Sequence, residues 1–426
     1  MDAPTDLALP SDDFFLARQP ILGRNQRLVA FELLFRSADA TDANVTDDAA
    51  ATAAVISHAS QLGMHQVVGE RLAFVNVDEV SLMSDFVRFL PHDKVILEIL
   101  ETVRSTPEVI ARIIELKEAG FKFALDDVVA DSDDVRKLVA LVDVIKIDLK
   151  GVDAGRLGGL ARSLRSANKK LLAEKVETVE EFDRCMDLGF EYFQGFYFAR
   201  PAILSGKKIA PSELIILRLL DLLKSDADNR EIETAVKRDA LISLNLLRLV
   251  NTPVAGARGR IDTLGEAIEV LGRTQLQRWL QILLYAKPGA EAEDEFNSPL
   301  LQMATARGKL MELMAQRLPA RLEVCPEKSF TVGIMSLMDA LFSMAMADIL
   351  GTVDVPDDVR LALLEREGVM GDMLGVVELM ENPRRGTPLN KPLKQLGMTV
   401  RQVRDIELEA FAWVNELAHD VPASLN

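Results

Sequence analysis

The chain has 426 residues, a formal net charge of −17, 49% hydrophobic side chains and two cysteines. That length exceeds one ordinary core and implies two domains. The acidic balance argues against a binder of polymeric nucleic acid or of anionic membrane, which needs a basic field; a small phosphorylated ligand in a locally cationic pocket stays compatible with it.

Cys185 and Cys325 lie far apart, which suits a reducing compartment and excludes a thiolate zinc site or a disulfide scaffold. The opening "MDAPTDLALPSDD" is acidic and lacks an apolar core, so it does not read as a signal peptide. No run reaches the ~18 apolar residues of a membrane span. The expectation is a cytoplasmic protein.

From residue 14 to 200 short β-rich runs alternate with helical ones. The strand candidates are "FFLARQ", "LVAFELLF", "LAFVNV", "KVILEI", "FKFALD", "VDVIKID", "KLLAEKV" and "YFQGFYF". Helical stretches fall at 46–62, 106–119, 132–142, 152–168 and 178–188. Gly120 in "EAGFKF" and Gly189 in "DLGFEYF" mark helix ends that lead into strands. Such alternation implies a parallel sheet, and about eight strands suggest a compact closed (β/α)8-like, TIM-type barrel. An open doubly wound sheet is the structural alternative, but no glycine-rich loop follows the first strand.

Residues 203–212 read as a linker after a flexible 1–13 and a barrel domain over 14–202. From 213 to 426 the apolar period is helical throughout, as in "SELIILRLLDLLKS" and "LGEAIEVLGRTQLQRWLQILLYA", giving an all-α domain.

Polar residues interrupt the barrel's apolar strands near their carboxyl ends: Glu32, Asn76, Glu98, Asp126, Asp127, Lys146, Glu174 and Gln194. Singly, each reads as a satisfied core polar group. Together, at the end where barrel enzymes place their chemistry, they read as a site. Adjacent carboxylates such as Asp126 and Asp127 need a cation between them. The donors are carboxylates and one amide, without histidine or cysteine, which selects Mg²⁺, Mn²⁺ or Ca²⁺ over zinc. Two or more such ions suit phosphodiester hydrolysis, and Lys146 adds a fixed cation.

These segments, with "RQPI" (Arg18 to Ile21) and "QGFYFARP", resemble the EAL-domain family of cyclic di-GMP phosphodiesterases, motif by motif and in order over about residues 14 to 202. The resemblance implies a barrel hydrolysing cyclic di-GMP to linear pGpG with Mg²⁺ or Mn²⁺, two ions among the options. It implies that Glu32, Asn76, Glu98 and Asp126 hold a metal and that Asp127 holds a second. Lys146 and Glu174 would position the attacking water, Glu101 would hold the loop after Asp127, and Gln194 would shape the site. Gln19, Pro20, Ile21 and Arg36 would meet substrate. Homodimerisation belongs to the same expectation.

Three departures stand out. The signature reads "ELL" rather than "EAL", Lys175 in "AEKVE" replaces a glycine, and "DDVVAD" lacks both glycines of the family's "DDFGTG" loop. The last keeps a second reading open: a weak or inactive cyclic di-GMP receptor, or a scaffold acting through protein contacts.

The helical half resembles the HDOD domain, a relative of the HD phosphohydrolases. Histidines occur at 58, 65, 92 and 419, and where enzymatic relatives carry "GLLHD" this chain has Ser336 and Leu337. The resemblance therefore implies a non-catalytic signalling module with an unidentified protein partner.

Overall fold

The computed structural model describes residues 14–37, 64–128, 133–195, 211–225, 227–237, 263–285, 298–352, 355–381 and 388–419, with isolated positions at 242, 243, 246, 250 and 261. The helix expected over 46–62, the distal part of the "DDVVAD" loop and most of the linker lie outside these residues. The chain divides into two compact units, Met1–Tyr197 with Glu378–Leu408, and Phe198–Val377 with Glu409–Asn426.

In the first unit eight strands close into a barrel in sequence order. They are β1 Phe14–Gly23, β2 Leu28–Ser37, β3 Leu72–Val77, β4 Val95–Ile99, β5 Lys122–Leu125, β6 Val144–Asp148, β7 Lys170–Glu174 and β8 Tyr192–Gln194. The parallel pattern holds from β2 to β8, but β1 runs antiparallel to both β2 and β8. Only Arg24 to Arg27 separate β1 from β2. So short a link builds a hairpin, whereas a parallel crossover takes a dozen residues or more.

Short helices α1 Met64–Val68 and α2 Glu79–Met83 flank β3. The crossovers after β4 to β7 carry α3 Pro107–Glu118, α4 Asp133–Val139, α5 Ala154–Ser166 and α6 Val179–Leu188. Local chemistry fixes their ends. Thr106 caps α3 by accepting from Val109 N–H, with proline at the first turn. Thr178 and Glu181 form a reciprocal capping box at α6, and Gly189 ends that helix in a left-handed turn at φ 84°.

One apolar layer plugs the barrel. It takes Ile21, Ala30, Phe74, Ile96, Ala124, Val144 and Leu172, one from each of β1 to β7, with Tyr192 of β8 packed against them. Seven of the eight are buried to within 5% exposure, so the barrel is a filled core and not a channel.

The second unit is helical among its described residues. Its helices include α7 Pro211–Lys224, α8 Asn229–Val236, α9 Leu264–Leu283, α10 Pro299–Arg317 and α11 Pro326–Met335. Ser336, at the position of the HD-type histidine, accepts from Arg307 Nη1 at 2.8 Å and donates to the Gly333 carbonyl at 2.7 Å. Leu337 is buried. That place in the fold is thus filled by a satisfied hydroxyl and an apolar side chain. No helix among the described residues is long and apolar enough to cross a membrane.

Candidate active site

A strand repeats its facing every second residue. Two residues beyond the apolar layer, therefore, each strand presents another side chain to the barrel interior. These are Glu32 after Ala30, Asn76 after Phe74, Glu98 after Ile96, Asp126 after Ala124, Lys146 after Val144, Glu174 after Leu172 and Gln194 after Tyr192. Gln19 lies two before Ile21 because β1 runs the opposite way. An apolar layer is thus topped by a polar one.

Lys146 sits at the centre of that second layer, with 1% of its side chain exposed. Its Nζ donates to Glu98 Oε1, and lies 2.9 Å from Glu174 Oε1, 3.2 Å from Asp126 Oδ1 and 3.5 Å from Glu32 Oε1. Gln194 Nε2 donates to Gln19 Oε1 at 2.9 Å and to Glu32 Oε2, which fixes the β8–β1–β2 side of the ring. Burial favours a neutral lysine, but the carboxylates of Asp126, Glu174, Glu32 and Glu98 outweigh it and hold the ammonium well above the ordinary lysine range. Burial pushes the Glu98 carboxyl well above the usual carboxylate range, against the pull of Lys146. It likewise pushes Glu174 up to about 8.

Asp127 lies one step outside the ring, half-buried, with a positive φ of 43°. Burial, then the charge of Asp126, raises its carboxyl above the usual range. Glu101, exposed after β4, completes a group with Asp126 and Asp127 in which one carboxylate oxygen from each lies within 4.8 Å of the other two. Beyond them Asp148, at the end of β6, accepts from Lys175 Nζ through Oδ2 and from Lys150 N–H through Oδ1 at 2.8 Å.

The structure therefore brings Glu32, Asn76, Glu98, Asp126, Lys146, Glu174, Gln194 and Gln19 into one layer, with Asp127 and Glu101 at its rim. Ile21 is fully buried in the apolar layer beneath and offers no surface to a ligand. Pro20 is half-buried on β1. Arg36 stands on β2 opposite Phe15.

The donor set fits a hard divalent cation. It is all oxygen, and Glu98 Oε2 is buried without a hydrogen-bond partner. The rim adds two more carboxylates, Glu101 and Asp127, at ligand spacing from Asp126.

Comparison with known families finds one matched domain in each unit. An EAL domain model matches residues 5–201, and an HDOD domain model matches residues 212–349. This chain is an EAL–HDOD tandem protein. The tandem protein is 28% identical over 408 residues to the cyclic di-GMP phosphodiesterase CdgJ of Vibrio cholerae, a match spanning 95% of this chain and 93% of that one. It is 29% identical over 414 residues to YuxH of Bacillus subtilis, an uncharacterized protein, over 95% of this chain and 98% of that one. Among solved structures it is similar to Klebsiella pneumoniae BlrP1 in a calcium and cy-diGMP complex, at 25% identity and a TM-score of 0.37, over 47% of this chain and 58% of that chain.

One residue of the barrel site, Asp148, is absent from the sequence-based expectations, and Lys175 figures there only as a departure from the family pattern. The signal for Asp148 is present. It stands two residues after Lys146 in "IKID" and so shares its face of β6.

Proposed function

We propose that this EAL–HDOD protein is a metal-dependent phosphodiesterase that hydrolyses cyclic di-GMP to linear pGpG at the carboxyl ends of the barrel strands. The observation that carries the reading is the buried polar layer: four carboxylates converge on Lys146, above an apolar floor, within a matched EAL domain. The full-length similarity to CdgJ supports the choice of substrate.

Glu32, Asn76, Glu98 and Asp126 would hold Mg²⁺ or Mn²⁺, and Asp127 is the candidate for a second ion. Bound there, such ions lower the pKa of water and neutralise charge developing on phosphate. Lys146 keeps its proton, so its ammonium offers a fixed positive charge to the reacting water or to a phosphate oxygen. Glu174, bonded to that ammonium and pushed toward neutrality by burial, can take up or release a proton at its carboxyl near pH 7. Gln194 orients Glu32 and Gln19 through its amide. Glu101 steadies the segment after Asp127. Gln19, Pro20 and Arg36 are the substrate-side candidates, with Ile21 supporting them from below.

The barrel domain would extend over about 14–202, and the HDOD part would act as a non-catalytic module that binds a signalling protein. Homodimerisation and a cytoplasmic location complete the proposal.

The test is incubation of the purified full chain with cyclic di-GMP and Mg²⁺ or Mn²⁺, with pGpG as the product sought. Turnover should require the metal and should fall to background in Glu32→Ala; unchanged turnover in that variant would overturn the assignment of Glu32. A receptor reading is favoured by one observation, the lysine already seated among the carboxylates at Asp148. Binding of cyclic di-GMP by calorimetry without any pGpG would decide for it.

A further inference from the structure

The Asp127 corner differs from the Lys146 ring in having a lysine of its own. Lys175 directly follows Glu174 at the end of β7 and holds a left-handed backbone at φ 55°. A side chain in that region costs of order 1 kcal/mol that glycine avoids. The chain therefore accepts strain to carry this side chain.

The side chain is put to use. Lys175 Nζ donates to Asp148 Oδ2, with 26% of the lysine side chain and 10% of the aspartate side chain exposed. Asp148 pairs in register with Glu174 across β6 and β7, so the lysine's tether is only one residue from that pairing. The chain just past Asp127 is pinned to the same end of β6 by Val128 N–H, which donates to the Lys146 carbonyl at 3.0 Å. Asp127 hydrogen-bonds Glu174 and feels the negative charges of Asp126 and Asp148, while the charge of Lys175, paired to Asp148, acts on it the other way. Lys146 is committed elsewhere, to Glu98, Glu174, Asp126 and Glu32.

Resting on the metal-dependent reading above, we propose that Lys175 is a tethered cation that stands in for one divalent ion at Asp127. The barrel mouth then binds a single Mg²⁺ or Mn²⁺ tightly, on the inner set of Glu32, Asn76, Glu98 and Asp126. A second ion enters the Glu101–Asp126–Asp127 group at the rim only when the lysine's charge is removed. Two facts of electrostatics favour this arrangement. An ammonium already compensates the corner's carboxylates, so less charge is left to attract an ion. A divalent cation arriving there also meets a like charge that cannot diffuse away, because it is joined to β7.

The experiment titrates Mn²⁺ alone into the metal-free full chain, reading free Mn²⁺ by its paramagnetic resonance signal and heat by calorimetry. The wild-type protein should take up one ion per chain, with any second at least tenfold weaker. Lys175→Gly removes the charge, and its relief of the left-handed strain offsets part of the cost of leaving Asp148 unpaired; it should bind two ions of comparable affinity. Lys175→Met, which removes the charge but keeps the strain, should do the same, and Lys175→Arg should return to one. Two equally tight ions in the wild type, or one in both Lys175→Gly and Lys175→Met, would overturn the proposal while leaving the metal reading intact. Absence of Mn²⁺ binding in wild type and variants alike would overturn the metal reading itself, and the proposal with it.

Discussion

Lys146 shows how one side chain can hold a site together before any ligand arrives. Four carboxylates facing a barrel interior would repel one another and would each lose hydration. The single ammonium among them, bonded to Glu98 and within 3.5 Å of the other three, is what makes the cluster compatible with folding. Removing one partner from a buried ionic group costs about 3–5 kcal/mol, because the remaining charges are left uncompensated. Lys146→Met should therefore lower the melting temperature of the metal-free protein markedly. Added Mn²⁺ should restore part of the loss, since the ion supplies the missing positive charge and binds only the folded state. The Mn²⁺-induced rise in Tm should exceed that of the wild type. A variant as stable as the wild type without metal would mean that the carboxyls are protonated and that Lys146 is not their counterion.

At the scale of elements, the site depends on how β8 ends. Gly195 has φ 146°, and a Cβ there would lie 2.1 Å from the Val176 carbonyl oxygen and 2.5 Å from the Val176 nitrogen. This close approach allows Val176 N–H to donate to the Gln194 carbonyl at 2.9 Å, which seats Gln194 against Glu32 and Gln19. Gly195→Ala must displace backbone, and strain with overpacking should destabilise the protein by about 2 kcal/mol or more in urea unfolding. A loss below about 0.5 kcal/mol would mean that β8 can be rebuilt without its glycine.

The same elements show what the sequence carried. Phe74 with Asn76, Ile96 with Glu98 and Leu172 with Glu174 place an apolar and a polar residue two apart on one strand. Both layers of the barrel are written in that period. The direction of β1 was also legible, in the length of the Arg24–Arg27 link, but strand–helix alternation elsewhere masks it. Helices α1 and α2, five residues each, are too short to establish a period. The glycine that Lys175 replaces hints at its left-handed backbone, but residue spacing does not say which carboxylate the lysine meets, so its bond to Asp148 is not legible.

Over the whole molecule, the least legible feature is the return of the chain to its first unit. The HDOD match ends at residue 349, yet Glu378–Leu408 folds with the barrel. Helical period says which face of a helix is apolar, not which body that face will meet. One contact makes the return concrete. Glu407, 3% exposed, accepts from the backbone N–H of Leu16 on β1, and its Oε2 is buried without a hydrogen-bond partner. Burial pushes its carboxyl from 4.5 up to about 8, with the nearby charge of Arg18 pulling the other way. Arg18 has further partners, donating to the Val67 carbonyl at 2.6 Å and stacking 4.5 Å from the Phe31 ring centroid, so its charge does not depend on Glu407 alone. An acid whose folded pKa is raised binds its proton more tightly in the folded state. Its contribution to stability is complete below the unfolded value of 4.5 and is lost as pH rises through about 8. Glu407→Gln keeps the shape and an acceptor for Leu16 N–H but cannot ionise. The two proteins should thus unfold at similar urea concentrations near pH 4.5, and the variant should become the more stable by about 2 kcal/mol or more as pH approaches 8. A wild-type protein that instead gains on the variant as pH rises would show that the attraction of Arg18 for the Glu407 carboxylate, and not desolvation, governs this junction between the C-terminal segment and the barrel.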